Sequence, residues 1–270
     1  GDAGLKIVDI SDPCTPEVKA TVGGGVETGT VYMVHIDGNS AYLAAGNGIY
    51  KVDVSNPSTP GNPTRINDQP ASSLFVSGNY LYAGGGDGKL RRINLASNPP
   101  NLEATSAGFG ATINDVHVSG DWVFAATNSD TSGVKIIPSN FGNDANPSYT
   151  LTVNYKTPQS VWVEGNYAYA TFQSGVGLLK VWNISSLPPG PVGEFTLGAW
   201  GSYDVIVKNG YAYVADGGSG LRVFNVSNPS TPTQVVVFDT TGTAAGVWVD
   251  GYYAAVADWD KGLAVFCVGP

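Results

Sequence analysis

The sequence predicts an all-β fold, a six-bladed β-propeller of four-stranded antiparallel blades. Three observations lead there. One phrase recurs six times along the 270 residues, at a spacing of about 40 to 45 residues, the length of one propeller blade. Apolar and polar residues alternate within each copy with the period of two that strands require. No segment of helical period and adequate length interrupts the pattern, and 36 Gly and 17 Pro supply the turns.

Each blade opens on a short V-x-V strand. The copies are Val34-His35-Ile36, Leu74-Phe75-Val76, Val116-His117-Val118, Val161-Trp162-Val163, Val205-Ile206-Val207 and Val247-Trp248-Val249. A Gly-Asn or Asn-Gly type of turn follows, whose positive φ suits the twist of a two-residue hairpin. The second strand reads Tyr-x-Tyr, as in Tyr80-Leu81-Tyr82, Tyr167-Ala168-Tyr169 and Tyr211-Ala212-Tyr213. A Gly-rich turn then leads into a third strand such as Gly48–Ser55 or Gly220–Ser227. Asn-Pro-Ser-Thr-Pro at 56–60 and 228–232 breaks the ladder, because its prolines lack an N–H. An outer fourth strand such as Thr233–Phe238 closes the blade.

These third strands carry a family resemblance. Leu5-Lys6-Ile7-Val8-Asp9-Ile10-Ser11-Asp12-Pro13 and Leu221-Arg222-Val223-Phe224-Asn225-Val226-Ser227-Asn228-Pro229 resemble the repeat of the LVIVD family of β-propellers. The resemblance extends over the whole chain and is weakest in the third blade, where Ile136-Ile137-Pro138-Ser139 loses the Asp. It implies a secreted or surface-attached propeller and no particular reaction, since one fold hosts many functions.

The two ends of the repeat array do not balance. Residues 245–268 supply three strands of the last blade, whereas the N-terminal region begins with a third-strand copy followed by Glu17–Val22. The expectation is one propeller domain over 1–270, with residues 17–22 completing the last blade. Cys267 aligns with Asp9, Asp53 and Asn225, and Cys14 lies in the corresponding Pro-rich turn. Docking of the N-terminal strand there would bring the two sulfurs within reach. A Cys14–Cys267 disulfide closing so long a loop is worth roughly 4–5 kcal/mol and fits an oxidising, extracellular or cell-surface location. The surplus strand, with Leu5, Ile7, Val8 and Ile10 on an open edge, is an extra strand within one subunit or a strand-addition arm for a neighbour. In the second case the cysteines bridge subunits, and repeated head-to-tail contact builds a filament or tube.

Charge narrows the partners. With 13 basic and 22 acidic residues the net charge is −9, which disfavours nucleic acid and anionic lipid. No apolar run is long enough to span a bilayer, and no cofactor motif is present. His35 and His117 fill the slot held by Phe75, Trp162, Ile206 and Trp248, which marks them as packing residues; no metal site is expected. Asp115 and Asp204 share a column with Ser73, Ser160 and Gly246 and are expected to line a polar channel. Asn183 and Asn225 lie in N-x-S sequences, but at the repeat position that other copies give to Asp.

The turns between second and third strands carry Asp216 and Asp258, and Tyr155, Phe172, Trp200 and Trp259 fall in loops expected on that same face. Rings of this kind stack on sugars while nearby carboxylates take hydroxyls, so the face is a candidate glycan platform. Three functions therefore compete: a non-catalytic extracellular scaffold for protein contact or self-assembly, a lectin-like module, and a hydrolase or lyase using Asp115 and Asp204. With no catalytic constellation in the sequence, the scaffold leads.

Overall fold

The computed structural model describes residues 1–131, 133–198 and 201–268. The fold is all-β, a β-propeller built from six antiparallel blades. Ahead of the first blade, β1 (Leu5–Asp9) pairs with β2 (Glu17–Val22) in a two-stranded sheet, and a single turn of helix, α1 (Gly25–Thr28), follows. The first blade runs β3 (Val31–Asp37), β4 (Ser40–Ala45), β5 (Gly48–Asp53), β6 (Thr64–Asn67), and the second β7 (Ser73–Ser77), β8 (Tyr80–Gly84), β9 (Leu90–Asn94), β10 (Asn101–Thr105). The third is β11 (Ile113–Ser119), β12 (Trp122–Thr127), β13 (Val134–Pro138), β14 (Tyr149–Leu151). The fourth is β15 (Thr157–Glu164), β16 (Tyr167–Gln173), β17 (Leu178–Asn183), β18 (Gly190–Thr196). The fifth is β19 (Asp204–Lys208), β20 (Tyr211–Ala215), β21 (Leu221–Asn225), β22 (Thr233–Phe238).

The sixth blade has three strands among the described residues, β23 (Ala244–Asp250), β24 (Tyr253–Asp258) and β25 (Gly262–Cys267). Glu17–Val22 takes its ladder hydrogen bonds from Leu5–Asp9, with Leu5 opposite Val22 and Asp9 opposite Glu17. The local hairpin satisfies the backbone of both segments without a distant partner.

Two local devices fix the strand lengths. Every hairpin between first and second strands has positive φ at the first of its two loop residues: Gly38, Gly78, Gly120, Gly165, Asn209 and Gly251, all at 54–56°. Asn209 is the exception that fits, since Asn tolerates the left-handed region better than other side chains. At the end of the third strand a side-chain oxygen accepts the N–H two residues on, closing an Asx turn that stops the ladder before the Pro-rich segment. Asp9 binds Ser11, Asp53 binds Ser55, Asn94 binds Ala96, Asn183 binds Ser185 and Asn225 binds Ser227, at 2.8–2.9 Å.

The chain forms two compact units, Gly1–Thr127 with Lys135–Ser148, and Asn128–Val134 with Tyr149–Pro270. In the first, Leu74 and Val76 bury themselves against Tyr42, Ala44 and Ile49 of the preceding blade. Val116 and Val118 repeat the contact on Tyr82 and Leu90. Leu5 packs on the first blade itself, among Val31, Leu43 and Val52, with Ile7 and Val22 at the margin. In the second unit Val205 and Val207 meet Tyr169, Leu179 and Val181, and Val247 and Val249 meet Tyr213, Leu221 and Val223. One rule thus builds the core of each unit: the first strand of a blade presents two branched side chains to the blade before it.

Candidate functional site

The same rule locates what is uncovered. In blades two to six both leading side chains are at most 8% exposed. In the first blade the equivalents, Val34 and Ile36, are 44% and 56% exposed. The trailing face of the last blade shows the reverse deficit. Leu221 and Ala215 of the fifth blade are fully buried, whereas Leu263 is 41% exposed and Ala257 is also exposed. Full burial of a Val, Leu or Ile side chain stabilises by about 1.5–3 kcal/mol, so each face offers a few kcal/mol to whatever covers it.

Beside the trailing face lies an incomplete charge pair. In the fifth blade the buried carboxylate of Asp216 accepts hydrogen bonds from Ser202 Oγ at 2.6 Å and the Gly198 N–H at 3.0 Å, and Arg222 Nε lies 2.7 Å away. In the second blade Arg91, at the position of Arg222, pairs at 2.6 Å with the more exposed Asp87. Asp258 of the last blade is 4% exposed. Its Oδ1 accepts the N–H groups of Thr243, Asp260 and Lys261 at 2.9–3.1 Å, and the Thr240 side chain also hydrogen-bonds the carboxylate, but Ala264 stands where Arg222 meets Asp216. The register explains this: Val214 pairs with Arg222, and Val256, its counterpart, pairs with Ala264.

The residues expected to form a glycan platform divide. Trp259 is 67% exposed and its ring lies 4.8 Å from that of Tyr203, centroid to centroid. Tyr155 is 83% exposed, at φ 57°. Phe172 corrects the expectation: it belongs to β16 and is fully buried, 5.8 Å from the Trp182 ring. Asp216 and Asp258 are likewise buried, Asp216 tying down the segment before β19 through Gly198 and Ser202, and Asp258 the turn that follows it. Trp200 lies outside the described residues.

The inner column is a packing column. In the first unit the rings of His35, Phe75 and His117 stack in series, each neighbouring pair 4.6 Å apart. Burial, aided by the charge of His35, pushes His117 down to about 3, and burial also lowers His35. In the second unit the Trp162 and Trp248 rings meet edge to face at 6.3 Å. Asp204, expected to line a channel, is half-buried and braces three first strands. It accepts Ser160 Oγ at 2.9 Å and the N–H groups of Val205 at 2.8 Å and Val247 at 2.9 Å. Burial outweighs these bonds and raises its pKa. Asp115 is half-buried and accepts the Val116 N–H at 2.8 Å.

Cys14 and Cys267 are both exposed free thiols, so the expected disulfide is not formed. Leu5, buried, and Ile7, half-buried, are held against the first blade, while Val8 and Ile10 are half-buried. The other edge of β1 has no ladder partner among the described strands. Sequence reasoning missed Val34, Ile36, Ala257 and Leu263 as exposed surface, because their types match their buried counterparts. The Asp258 deficit was legible in the change from Arg222 to Ala264. No described helix is long and apolar enough to cross a membrane.

Comparison with solved structures supports the fold over nearly the full length. A chain in the crystal structure of the mitotic checkpoint complex is 15% identical, with a TM-score of 0.79, covering 99% of this chain and 86% of the other. The crystal structure of the computationally designed Ika8 protein gives 11% identity and a TM-score of 0.68, covering 98% and 91%. No curated protein matches. The LVIVD repeat family matches residues 1–23, 28–68, 70–103, 146–181, 201–240 and 241–266, leaving out the first three strands of the third blade, whose third strand had lost its Asp. The chain, matched over well more than half its length, belongs to the LVIVD-repeat family.

Proposed function

We propose that this protein is a non-catalytic scaffold that works by protein contact, and that the contact is with further copies of itself, at the cell surface or outside the cell. The observation that carries the reading is the pair of uncovered faces, Val34 with Ile36 and Ala257 with Leu263. Each is the surface type that the repeat buries elsewhere, so one copy's leading face fits another's trailing face. Such a contact is head to tail and extends into a filament or tube unless its rotation closes. The engagement of Asp204 by three donors supports a structural role for that carboxylate, and a protein complex among the similar structures is in keeping with propellers used for contact.

Light scattering of the purified chain across concentrations, followed by electron microscopy, tests the reading. Growth of particles with concentration is expected, and its loss in a Val34→Lys, Ile36→Lys double variant. Non-reducing electrophoresis of the same samples shows whether the exposed Cys14 and Cys267 cross-link copies. A second reading, glycan binding, is favoured by the exposed Trp259 on Tyr203. It predicts signal on a glycan array that Trp259→Ala abolishes, and an empty array rejects it.

A further inference from the structure

We propose that the last blade is completed by strand exchange between copies: β1 of one chain takes the place of β25 beside β24 of another, and brings β2 as the fourth strand. The inference rests on the self-contact reading above and names its strands and register.

The two strands are versions of one element. Leu5-Lys6-Ile7-Val8-Asp9 aligns on Leu263-Ala264-Val265-Phe266-Cys267, as it does on Leu221-Arg222-Val223-Phe224-Asn225. The sheet β1–β2 contains a third and a fourth strand, and the sheet β23–β25 contains a first, a second and a third. Joining β23 and β24 of one copy to β1 and β2 of another gives one complete blade. In the register that β24 keeps with β25, Asp9 then faces Tyr253, Lys6 faces Val256 and Leu5 faces Ala257.

Three consequences favour β1 over β25 at that edge. Lys6 enters the position of Arg222, where a cation meets the buried carboxylate of the blade, a cation that Ala264 does not offer to Asp258. A buried carboxylate oxygen gains more from a charged donor than from a neutral one. Asp9 also restores the Asx turn, bonding the Ser11 N–H at 2.9 Å, which Cys267 has no oxygen to make. Finally, β1 already lies on the first blade of its own copy. The arriving β23–β24 pair therefore lands beside Val34 and Ile36, with Ala255 and Ala257 on the side that covers leading residues in other blades.

Sedimentation velocity over a wide concentration range tests the exchange with the full chain and three variants. The wild type is expected to associate, and Lys6→Arg to associate equally well. Lys6→Glu reverses an exposed charge without touching the core and is expected to weaken association at least about tenfold. Ala264→Arg gives β25 the cation that Arg222 provides in the fifth blade, and is expected to hold the chain monomeric with a raised melting temperature. If the wild type associates and Lys6→Glu and Ala264→Arg associate just as tightly, the exchange is overturned while self-contact survives. A wild type that stays monomeric throughout overturns both.

Discussion

Two residues show how chemistry that looks catalytic on paper becomes structural in the fold. His117 is held neutral inside the ring stack, its pKa near 3 against an ordinary 6.5. The unfolded chain takes up this proton near pH 6.5 and the folded chain only near pH 3. The stability tied to the neutral ring is complete above 6.5 and drains as pH falls toward 3, by up to about 1.4 kcal/mol per pH unit. His117→Phe, copying Phe75 in the same column, is expected to flatten that loss, measured by urea unfolding at pH 7 and pH 4.5. For Asp204, replacement by Ala strands the N–H of Val247 and the Ser160 hydroxyl. A cost of about 3 kcal/mol is expected in the same assay. The packing role of both histidines was readable from the company they keep in the repeat. The three donors that Asp204 engages were not, because alignment gives a column and not its hydrogen bonds.

Among the elements, the hairpin and the Asx turn were legible and their reasons hold. The N–H–accepting Asp or Asn at the end of the third strand does in the structure what the aligned sequences implied. The hairpin also makes a quantitative statement. A Cβ built on Gly165 meets nothing within 4 Å, so substitution there is opposed by its φ of 56° alone. Gly165→Val is expected to cost roughly 1–2 kcal/mol, and Gly165→Asn clearly less, as Asn209 already occupies the equivalent place. Equal losses would show that something other than backbone strain limits the turn. What could not be read was the partner of β2. Two third-strand copies, β1 and β25, compete for one kind of neighbour, and pattern alone does not say that the nearer one takes it within the chain.

For the whole molecule, the count of strands and the burial of equivalent residues converge. The repeat array presents a third–fourth pair at one end and a first–second–third set at the other, and the side chains that neighbouring blades normally cover are left exposed at both. Blade number and family were plain in the sequence, since periodicity survives any local irregularity. Surface was not, because Val34 and Leu263 are the same residue types as their buried counterparts, and only coordinates tell a covered face from an open one. Self-association through these faces is therefore the central claim. Sedimentation of the purified chain under reducing conditions, from dilute to concentrated, addresses it most directly. A weight-average mass climbing beyond one chain, and falling back to a single chain in the Val34→Lys, Ile36→Lys double variant, is the result expected. A mass of one chain at every concentration would contradict it.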